Sequence, residues 1–169
     1  MDKWKYFDIT HKHHVLCNPM SEEKFERLCQ LLNLPKDTRI LDIACGKGEV
    51  LVRLAEIYGI SGVGVDISPF CISDCKKKHL KRVPESDLTF IELDGAKYQP
   101  ESGELFDVAM CLGASWIFED HAGTDLPHAF DLERPDSCRQ VEVLPPGLIQ
   151  AYGEVPELVG HLHLPVQSG

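Results

Sequence analysis

The sequence predicts an α/β fold, in which a mostly parallel sheet carries helices on both faces. Three observations support this prediction: short apolar segments alternate with segments of helical periodicity, a glycine-rich bend joins the first apolar segment to a helix, and acidic residues follow the apolar segments. Strands that alternate with helices are joined by right-handed crossovers, which make neighbouring strands parallel. Folds of this class bind their ligands at the carboxyl ends of the strands.

Three helices are predicted from capping residues and apolar spacing. The first follows Ser21, a favourable N-cap. Its apolar stripe consists of Phe25, Leu28, Cys29 and Leu32. The second begins near residue 49 and ends at Gly59, and its stripe consists of Leu51, Leu54, Ala55 and Tyr58. The third has Ser68 as its N-cap and Pro69 in its first turn, and we expect it to end near residue 80.

Four strands are predicted at residues 40–43, 62–67, 88–93 and 106–112. The first leads into a bend at residues 42–48, which reads Asp-Ile-Ala-Cys-Gly-Lys-Gly, and Asp66 ends the second, eighteen residues past Gly48. A parallel neighbour would bring the Asp66 carboxylate beside the bend, where it can accept hydrogen bonds from both hydroxyls of a ribose. This spacing predicts a cofactor that contains a nucleoside.

The glycine spacing distinguishes two such cofactors. A dinucleotide fingerprint that starts at Gly46 and Gly48 would have Leu51 where a third glycine or alanine is required, so nicotinamide-dependent oxidoreduction is the weaker alternative. The pattern Asp42-x-Ala44-x-Gly46-x-Gly48 instead resembles the Asp-x-Gly-x-Gly-x-Gly loop of class I S-adenosylmethionine-dependent methyltransferases. Ala44 replaces the first glycine of that loop, which we expect to fit only if its φ is negative.

This resemblance covers residues 21–118 and implies a Rossmann-like fold whose cofactor is S-adenosylmethionine. It implies cofactor contacts for residues that follow the four strands, namely Asp42, Ala44, Cys45, Gly46, Gly48, Asp66, Ile67, Asp94, Gly95, Cys111 and Gly113. The bend would hold the methionine portion, Asp66 the ribose and Ile67 the adenine ring. Asp94 would receive the adenine amino group, and residues 111–113 would lie beneath the sulfonium.

The resemblance also implies a domain organisation. Residues 1–20 resemble the N-terminal lid of some small-molecule members, and residues 21–123 would form the cofactor-binding core. Residues 124–169 contain six of the eleven prolines and do not resemble the closing strands of the family, so we expect a divergent or truncated, partly irregular segment.

Catalytic residues are harder to predict, because methyl transfer from a sulfonium needs alignment more than acid catalysis. His11 and His14 are three residues apart and could share one face of a helical turn, which would place one of them over the pocket as a base. Glu119, with residues 120–121, lies where family members often have substrate-facing groups. The alternative for the two histidines is a surface or helix-capping position, and the alternative for residues 119–121 is an ordinary polar loop.

Composition argues against several other classes of protein. The formal net charge of −10 disfavours a general nucleic-acid binder, and we expect the local basic cluster at residues 76–82 to be a solvated helix face. No apolar run approaches the roughly 20 residues that span a bilayer. Seven cysteines without framework spacing predict reduced thiols and a cytoplasmic location. Cys71, Cys75 and His79 are four residues apart, but because no Cys-x-x-Cys pair occurs we predict core packing and no metal site.

The sequence therefore predicts an S-adenosylmethionine-dependent methyltransferase that acts on a small-molecule acceptor, without a nucleic-acid or membrane partner. An alternative from a different class is a non-catalytic protein that binds S-adenosylmethionine or S-adenosylhomocysteine. The sequence predicts neither the acceptor atom nor the oligomeric state.

Overall fold

The computed structural model describes residues 3–17, 21–101, 104–112 and 114. Helices α1 (Lys3–Thr10) and α2 (Glu22–Leu32) come first. They are followed by β1 (Arg39–Ile43), α3 (Glu49–Tyr58), β2 (Ser61–Asp66), α4 (Pro69–Arg82), β3 (Leu88–Glu92), a 3₁₀ turn (Gly95–Lys97) and β4 (Val108–Met110). Within these ranges, no helix is long and apolar enough to cross a membrane.

The four strands form one parallel sheet in the order β3-β2-β1-β4. Asp42 of β1 lies opposite Gly64 of β2, and Asp66 at the end of β2 lies opposite Glu92 of β3. The chain order reverses between β1 and β4, so these two strands flank the switch point where open α/β sheets bind ligands. The predicted Rossmann-like α/β class is confirmed.

Alternate residues of the strands enter two apolar clusters on opposite faces of the sheet. Ile40 belongs to the cluster that α2, α3 and α4 complete, whereas Leu41 belongs to the second cluster. The second cluster also contains Tyr98 and Phe106, which follow β3 in the chain. Because both faces are covered, the strands read as continuous apolar runs rather than as alternating ones.

The helix ends largely agree with the sequence prediction. The Ser21 hydroxyl accepts a hydrogen bond from the Lys24 N–H at 3.3 Å, and Gly59 ends α3 with a left-handed φ of 68°. In the last turn of α2, Leu31 is buried, whereas Leu32 of the predicted stripe is half-buried and packs against the same apolar cluster. Helix α4 continues to Arg82, two residues past the predicted end, and β4 is shorter than predicted.

Candidate functional site

A cavity of about 600 Å³ lies at the carboxyl ends of the strands, a volume typical of small-molecule sites. Most of the predicted cofactor-binding residues line it, namely Asp42, Ala44, Cys45, Gly46, Asp66, Ile67, Asp94 and Gly95. They come from the ends of β1, β2 and β3, so the parallel sheet brings together segments that are far apart in the sequence.

Gly48 and Cys111, two of the predicted cofactor-binding residues, do not line the cavity. Gly48 caps α3 with a φ of 68°, and a Cβ there would lie 2.8 Å from the Cys75 sulfur, so this glycine permits close packing of the bend. Cys111 is buried in the second apolar cluster, since it comes just after the end of β4, and burial raises the pKa of its thiol to about 12. Leu112 and Ala114 line the cavity instead.

Two predicted site residues, Gly113 and Glu119, lie outside the described residues, as do residues 120–121 and the C-terminal segment 124–169. The domain boundaries predicted near residues 20 and 123 stay predictions.

His11 and His14 share one face, as predicted, but neither ring lines the cavity. The ring of His11 stacks on Phe7 with 3.9 Å between centroids, and its Nδ1 lies 3.0 Å from the Phe7 carbonyl oxygen. The ring of His14 meets His11 edge-on at 5.0 Å. Phe7 faces the cavity itself, and the stacking holds His11 on Phe7 rather than at the cavity wall. The predicted position over the pocket is therefore not observed.

Part of the cavity wall comes from α1, which lies in the segment expected to resemble an N-terminal lid, but its wall residues were not predicted individually. Lys3, Trp4 and Phe7 line the cavity, and the Trp4 and Phe7 rings pack edge-to-face with centroids 6.5 Å apart. The Lys47 ammonium attaches this segment to the bend by donating a 2.6 Å hydrogen bond to the His11 carbonyl oxygen. The aromatic residues at positions 4 and 7, at helical spacing, were the available sequence signal.

The bend has left-handed backbone at Ala44 as well as at two glycines. The φ angles are 60° at Ala44, 54° at Gly46 and 68° at Gly48. The expectation of a negative φ at Ala44 is therefore wrong. Hydrogen bonds hold the bend against the end of β2 immediately after this residue, since the Cys45 N–H donates to the Val65 carbonyl oxygen at 3.0 Å and the Gly46 N–H donates to Asp66 at 2.9 Å. An L-residue in this conformation is strained by about 1–2 kcal/mol.

We expect Ala44→Gly to raise the free energy of unfolding by about 0.5–1 kcal/mol, because glycine adopts the left-handed conformation without the Cβ penalty. The gain is smaller than the full strain, since the Ala44 methyl group packs on the second apolar cluster. Urea unfolding measures the change. Ala55→Gly in the middle of α3 is the matched control and should lower stability by about 1 kcal/mol. If Ala44→Gly instead lowered the free energy of unfolding, the inference that the Ala44 backbone is strained would be contradicted.

Asp66 connects the bend to the start of α4. One carboxylate oxygen accepts the Gly46 N–H at 2.9 Å, and the other accepts the Ser68 N–H at 2.8 Å. Burial raises the pKa of Asp66, and these two hydrogen bonds oppose the rise. A carboxylate has roughly four acceptor positions, so two remain for hydroxyl groups of a ligand.

Asp42 is a buried carboxylate at the cavity wall, with 2% of its surface exposed. Among the described residues, no donor bonds its side chain, and neither Asp42 nor Asp66 has a cationic partner within salt-bridge distance. Burial and the charge of Asp66 raise the pKa of Asp42 well above its usual value. Asp107 differs, because its carboxylate accepts the Arg39 N–H at 2.8 Å. The cavity wall therefore holds two carboxyl groups without a cationic partner at salt-bridge distance among the described residues, which suits a ligand with a positive group.

We expect Asp42→Asn to raise the free energy of unfolding by about 1–3 kcal/mol near pH 7.5, because burial without a partner penalises the ionised carboxyl that the unfolded chain carries, and asparagine avoids this penalty. A raised pKa means that the folded state favours the protonated carboxyl. The ionisation penalty, and with it the benefit of asparagine, should therefore grow as the pH rises from about 4. Urea unfolding of both proteins at about pH 4 and about pH 7.5 measures the benefit of asparagine at each pH. Asp107→Asn is the control and should destabilise, since it weakens a formed hydrogen bond. A benefit that is larger at the lower pH would contradict the assignment.

Asp94 and Ile67 complete the β2 and β3 side of the cavity. The Asp94 carboxylate accepts the Ala96 N–H at 3.2 Å and lies 3.3 Å from the Lys97 ammonium, so it is held at the cap of the 3₁₀ turn. Ile67 leaves 42% of its surface exposed and lines the cavity. This surface can cover the face of an aromatic ring.

Cys45 lies in the bend as a buried thiol, in keeping with a packing role. A hydrogen bond with Cys75, burial and nearby carboxylates raise its pKa well above the usual value, so it is not a nucleophilic thiolate. The imidazole of His79 lies 3.0 Å from the Ser86 carbonyl oxygen through its Nε2. Within the described ranges, no group of three or more potential metal ligands occurs.

A family model described as "Methyltransferase domain" matches residues 40–134, which include the bend, β1 to β4 and the cavity residues that follow them. The chain belongs to this methyltransferase family. The resemblance to class I S-adenosylmethionine-dependent methyltransferases is thereby confirmed, and the family match favours it over the nicotinamide alternative.

Two proteins of known structure are similar to this chain in both sequence and fold. A methyltransferase from Thiobacillus denitrificans, crystallised with S-adenosylhomocysteine, is 37% identical with a TM-score of 0.66 over 73% of this chain and 49% of its own. The uncharacterized protein YjhP of Escherichia coli is 36% identical over 125 residues, 74% of this chain and 50% of YjhP. Its X-ray structure gives a TM-score of 0.64 over 70% of this chain and 47% of that one. The chain thus spans about half the length of these relatives.

A further match is short. A stretch of 22 residues, 13% of this chain, is 86% identical to 5% of the tRNA-2-methylthio-N(6)-dimethylallyladenosine synthase of Saccharophagus degradans. A match of this length assigns no family or activity to the chain.

Proposed function

We propose that this chain binds S-adenosylmethionine and transfers its methyl group to a small-molecule acceptor. The observation that carries the proposal is the cavity beside the left-handed bend, where Asp42 and Asp66 have no cationic partner among the described residues. The cofactor has two positive groups, an ammonium and a sulfonium. Membership of the family, and S-adenosylhomocysteine in the Thiobacillus denitrificans relative, support the same cofactor.

The residues present fit this cofactor. The two free acceptor positions of Asp66 would receive the ribose hydroxyls, Ile67 would cover the adenine ring and Asp94 would accept the adenine amino group. Asp42 and the bend would hold the methionine portion, where the unpaired carboxylate stabilises positive charge. A Cβ at position 46 would lie 3.3 Å from the Cβ of Cys17. Glycine at this position therefore leaves room beside the bend for the methionine portion of the cofactor.

When bound, the cofactor would supply a methyl group activated by positively charged sulfur. The chain would contribute alignment and exclusion of water, since Trp4 and Phe7 add apolar surface to the cavity wall. A small-molecule acceptor is proposed because the net charge of −10 disfavours a nucleic-acid substrate. A cytoplasmic location and the absence of a membrane partner stay predictions.

Mass spectrometry of the supernatant from denatured, purified protein tests whether S-adenosylmethionine or S-adenosylhomocysteine copurifies. Calorimetry with S-adenosylhomocysteine and with NAD then compares the two cofactor classes, and tighter binding of NAD would contradict the proposal. Incubation with methyl-labelled cofactor and a metabolite extract tests transfer. Binding without release of label would favour the non-catalytic alternative.

A further inference from the structure

Lys47 is a buried lysine in the bend, between two glycines with left-handed backbone, Gly46 at a φ of 54° and Gly48 at a φ of 68°. Its side chain lines the cavity and is only 8% exposed. The ammonium donates to the carbonyl oxygens of His11 at 2.6 Å and of Lys12 at 3.4 Å. In the part of the chain that the structure describes, no carboxylate forms an ion pair with it. The backbone just after α1 therefore compensates the burial of this ammonium.

Helix α1 has few other attachments to the rest of the fold. It contacts α4, but none of its eight residues is buried. The nearest buried side chain after the helix is that of Leu16, which belongs to the first apolar cluster. Elements with few buried apolar contacts open most readily. The hydrogen bonds from Lys47 are therefore a large part of what holds α1 at the cavity.

A continuous set of contacts connects Asp66 to the aromatic part of the cavity wall. The Asp66 carboxylate accepts the Gly46 N–H at 2.9 Å, and Lys47 follows Gly46 in the chain. The Lys47 ammonium bonds the His11 carbonyl oxygen, and the His11 ring stacks on Phe7 with 3.9 Å between centroids. Because each contact fixes the next, the position of the Phe7 ring depends on the conformation of the bend.

We propose that Lys47 is a positioning residue for cofactor binding, which acts by holding α1 against the cavity. This inference rests on the proposed function. A ligand that occupies the bend keeps Lys47 in place, and α1 held by Lys47 presents Trp4 and Phe7 to the same ligand. The ligand and the docked position of α1 therefore stabilise each other by the same factor. Neither step requires Lys47 to touch the cofactor.

Hydrogen exchange of the ligand-free chain tests whether Lys47 holds α1. Lys47→Met keeps an apolar side chain of similar length and removes the ammonium. The amide hydrogens of residues 7–11, which α1 and its last turn protect, should exchange about 10-fold faster, because hydrogen bonds from a charged donor are lost. Those of β1 and β2 should exchange as in the unmodified chain, which shows that the core is folded. Unchanged exchange of residues 7–11 would overturn the proposal.

Two further variants separate the ammonium from other effects of the substitution. Lys12→Met is the matched control, since the Lys12 side chain is exposed in the same turn and only its backbone meets Lys47, and it should leave the exchange of α1 unchanged. Lys47→Arg keeps a cationic donor and should retain most of the protection of residues 7–11. Equal acceleration in Lys12→Met and Lys47→Met would overturn the proposal, because the loss would then not depend on the buried ammonium.

Calorimetry with S-adenosylhomocysteine tests the coupling to the ligand. Lys47→Met should weaken binding by about 2- to 30-fold, the range typical of residues that couple two sites. In a chain that carries both Trp4→Ala and Phe7→Ala, the same substitution should change the affinity by less than about twofold, because α1 then has no ring to present. An equal loss in both backgrounds would mean that Lys47 binds the cofactor directly, and it would overturn the proposal, as would an unchanged affinity of Lys47→Met.

The two experiments also separate this inference from the proposed function. If the unmodified chain does not bind S-adenosylhomocysteine, the proposed function fails. The exchange of ligand-free Lys47→Met is measured without any ligand, so it still decides whether Lys47 holds α1 at the cavity. If the unmodified chain binds and Lys47→Met exchanges and binds as the unmodified chain does, the proposed function stands and the role of Lys47 is overturned.

Discussion

Asp66→Ala is expected to weaken the binding of S-adenosylhomocysteine by about 1–3 kcal/mol, which is about 5- to 150-fold in the dissociation constant. Two effects contribute. The substitution removes the acceptor proposed for the ribose hydroxyls, and it releases the backbone N–H groups of Gly46 and Ser68, which the carboxylate holds at 2.9 Å and 2.8 Å. Calorimetry measures the change. An unchanged affinity would exclude Asp66 as a ligand of the cofactor.

Asp107→Ala is the matched control for this experiment. The Asp107 carboxylate also accepts a backbone N–H, from Arg39 at 2.8 Å, but it lies at the start of β4, at the opposite end of the strands from the cavity. Its loss should lower stability and leave the affinity for S-adenosylhomocysteine unchanged. Asp66→Asn separates the two effects further, because its amide has one oxygen and can accept only part of the hydrogen bonds. We expect an affinity between those of the unmodified chain and Asp66→Ala.

The sequence predicted the sheet and the position of Asp66 because both depend on local signals. Apolar runs, capping residues and the distance from Gly48 to Asp66 determine where strands end, and parallel pairing then brings those ends together. The left-handed φ of Ala44 was not predictable in this way. The bend is hydrogen-bonded to the end of β2 at this point, a tertiary contact that no residue type in the bend reveals.

The side chains that line the cavity were predicted less completely than the strands. Lys3, Trp4 and Phe7 enter the wall because the turn after α1 is bonded to Lys47, a contact between residues more than thirty positions apart. His11 is adjacent to the same contact but stacks on Phe7. The choice between a histidine and a phenylalanine at the wall depends on how α1 packs, and this is a tertiary property.

The basic cluster at residues 76–82 of α4 was predicted to be a solvated helix face, and this prediction is wrong for part of the cluster. Residues 76 and 77 are exposed, as expected of a solvated helix face. Lys78 and Arg82 instead point to the carboxylate of Glu49, at 2.7 Å and 2.9 Å respectively. Glu49 is 4% exposed, and Arg53 one turn further along α3 bonds it at 3.2 Å. The reason is the contact between α3 and α4, which buries one acid among three bases.

Glu49→Ala is therefore expected to lower the free energy of unfolding by about 2–4 kcal/mol. Removing one member of a buried ion pair leaves its partners without compensation, which costs about 3–5 kcal/mol when they are fully buried. The three bases retain 20–26% of their side-chain surface, so water compensates part of the loss. Urea is the suitable denaturant, because guanidinium salts screen ion pairs.

Glu26→Ala is the control for this prediction, since the Glu26 carboxylate is 59% exposed and lies 3.5 Å from Arg53. Its effect should stay below about 1 kcal/mol.

The pH dependence distinguishes Glu49 from Asp42, although both are buried acids near the bend. Burial alone would raise the pKa of Glu49, but hydrogen bonds from Lys78 and Arg82 outweigh burial and hold the pKa below its usual value. A lowered pKa means that the carboxylate stabilises the fold above the unfolded value of about 4.3, and that this stability is lost as the pH falls through the folded value. The cost of Glu49→Ala should therefore shrink in acid.

Asp42→Asn should raise the free energy of unfolding, whereas Glu49→Ala should lower it. Both effects should shrink in acid. Glu49 has partners within the fold, and the unmodified chain loses their stabilisation on protonation. Asp42 has none among the described residues, and the unmodified chain gains stability on protonation. Saturating S-adenosylhomocysteine should reduce the benefit of Asp42→Asn near about pH 7.5, because the ligand would supply the missing positive charge and stabilise the unmodified chain by mass action. The cost of Glu49→Ala should stay nearly unchanged. A ligand effect on Glu49→Ala alone would place the positive group of the ligand at Glu49 instead of Asp42.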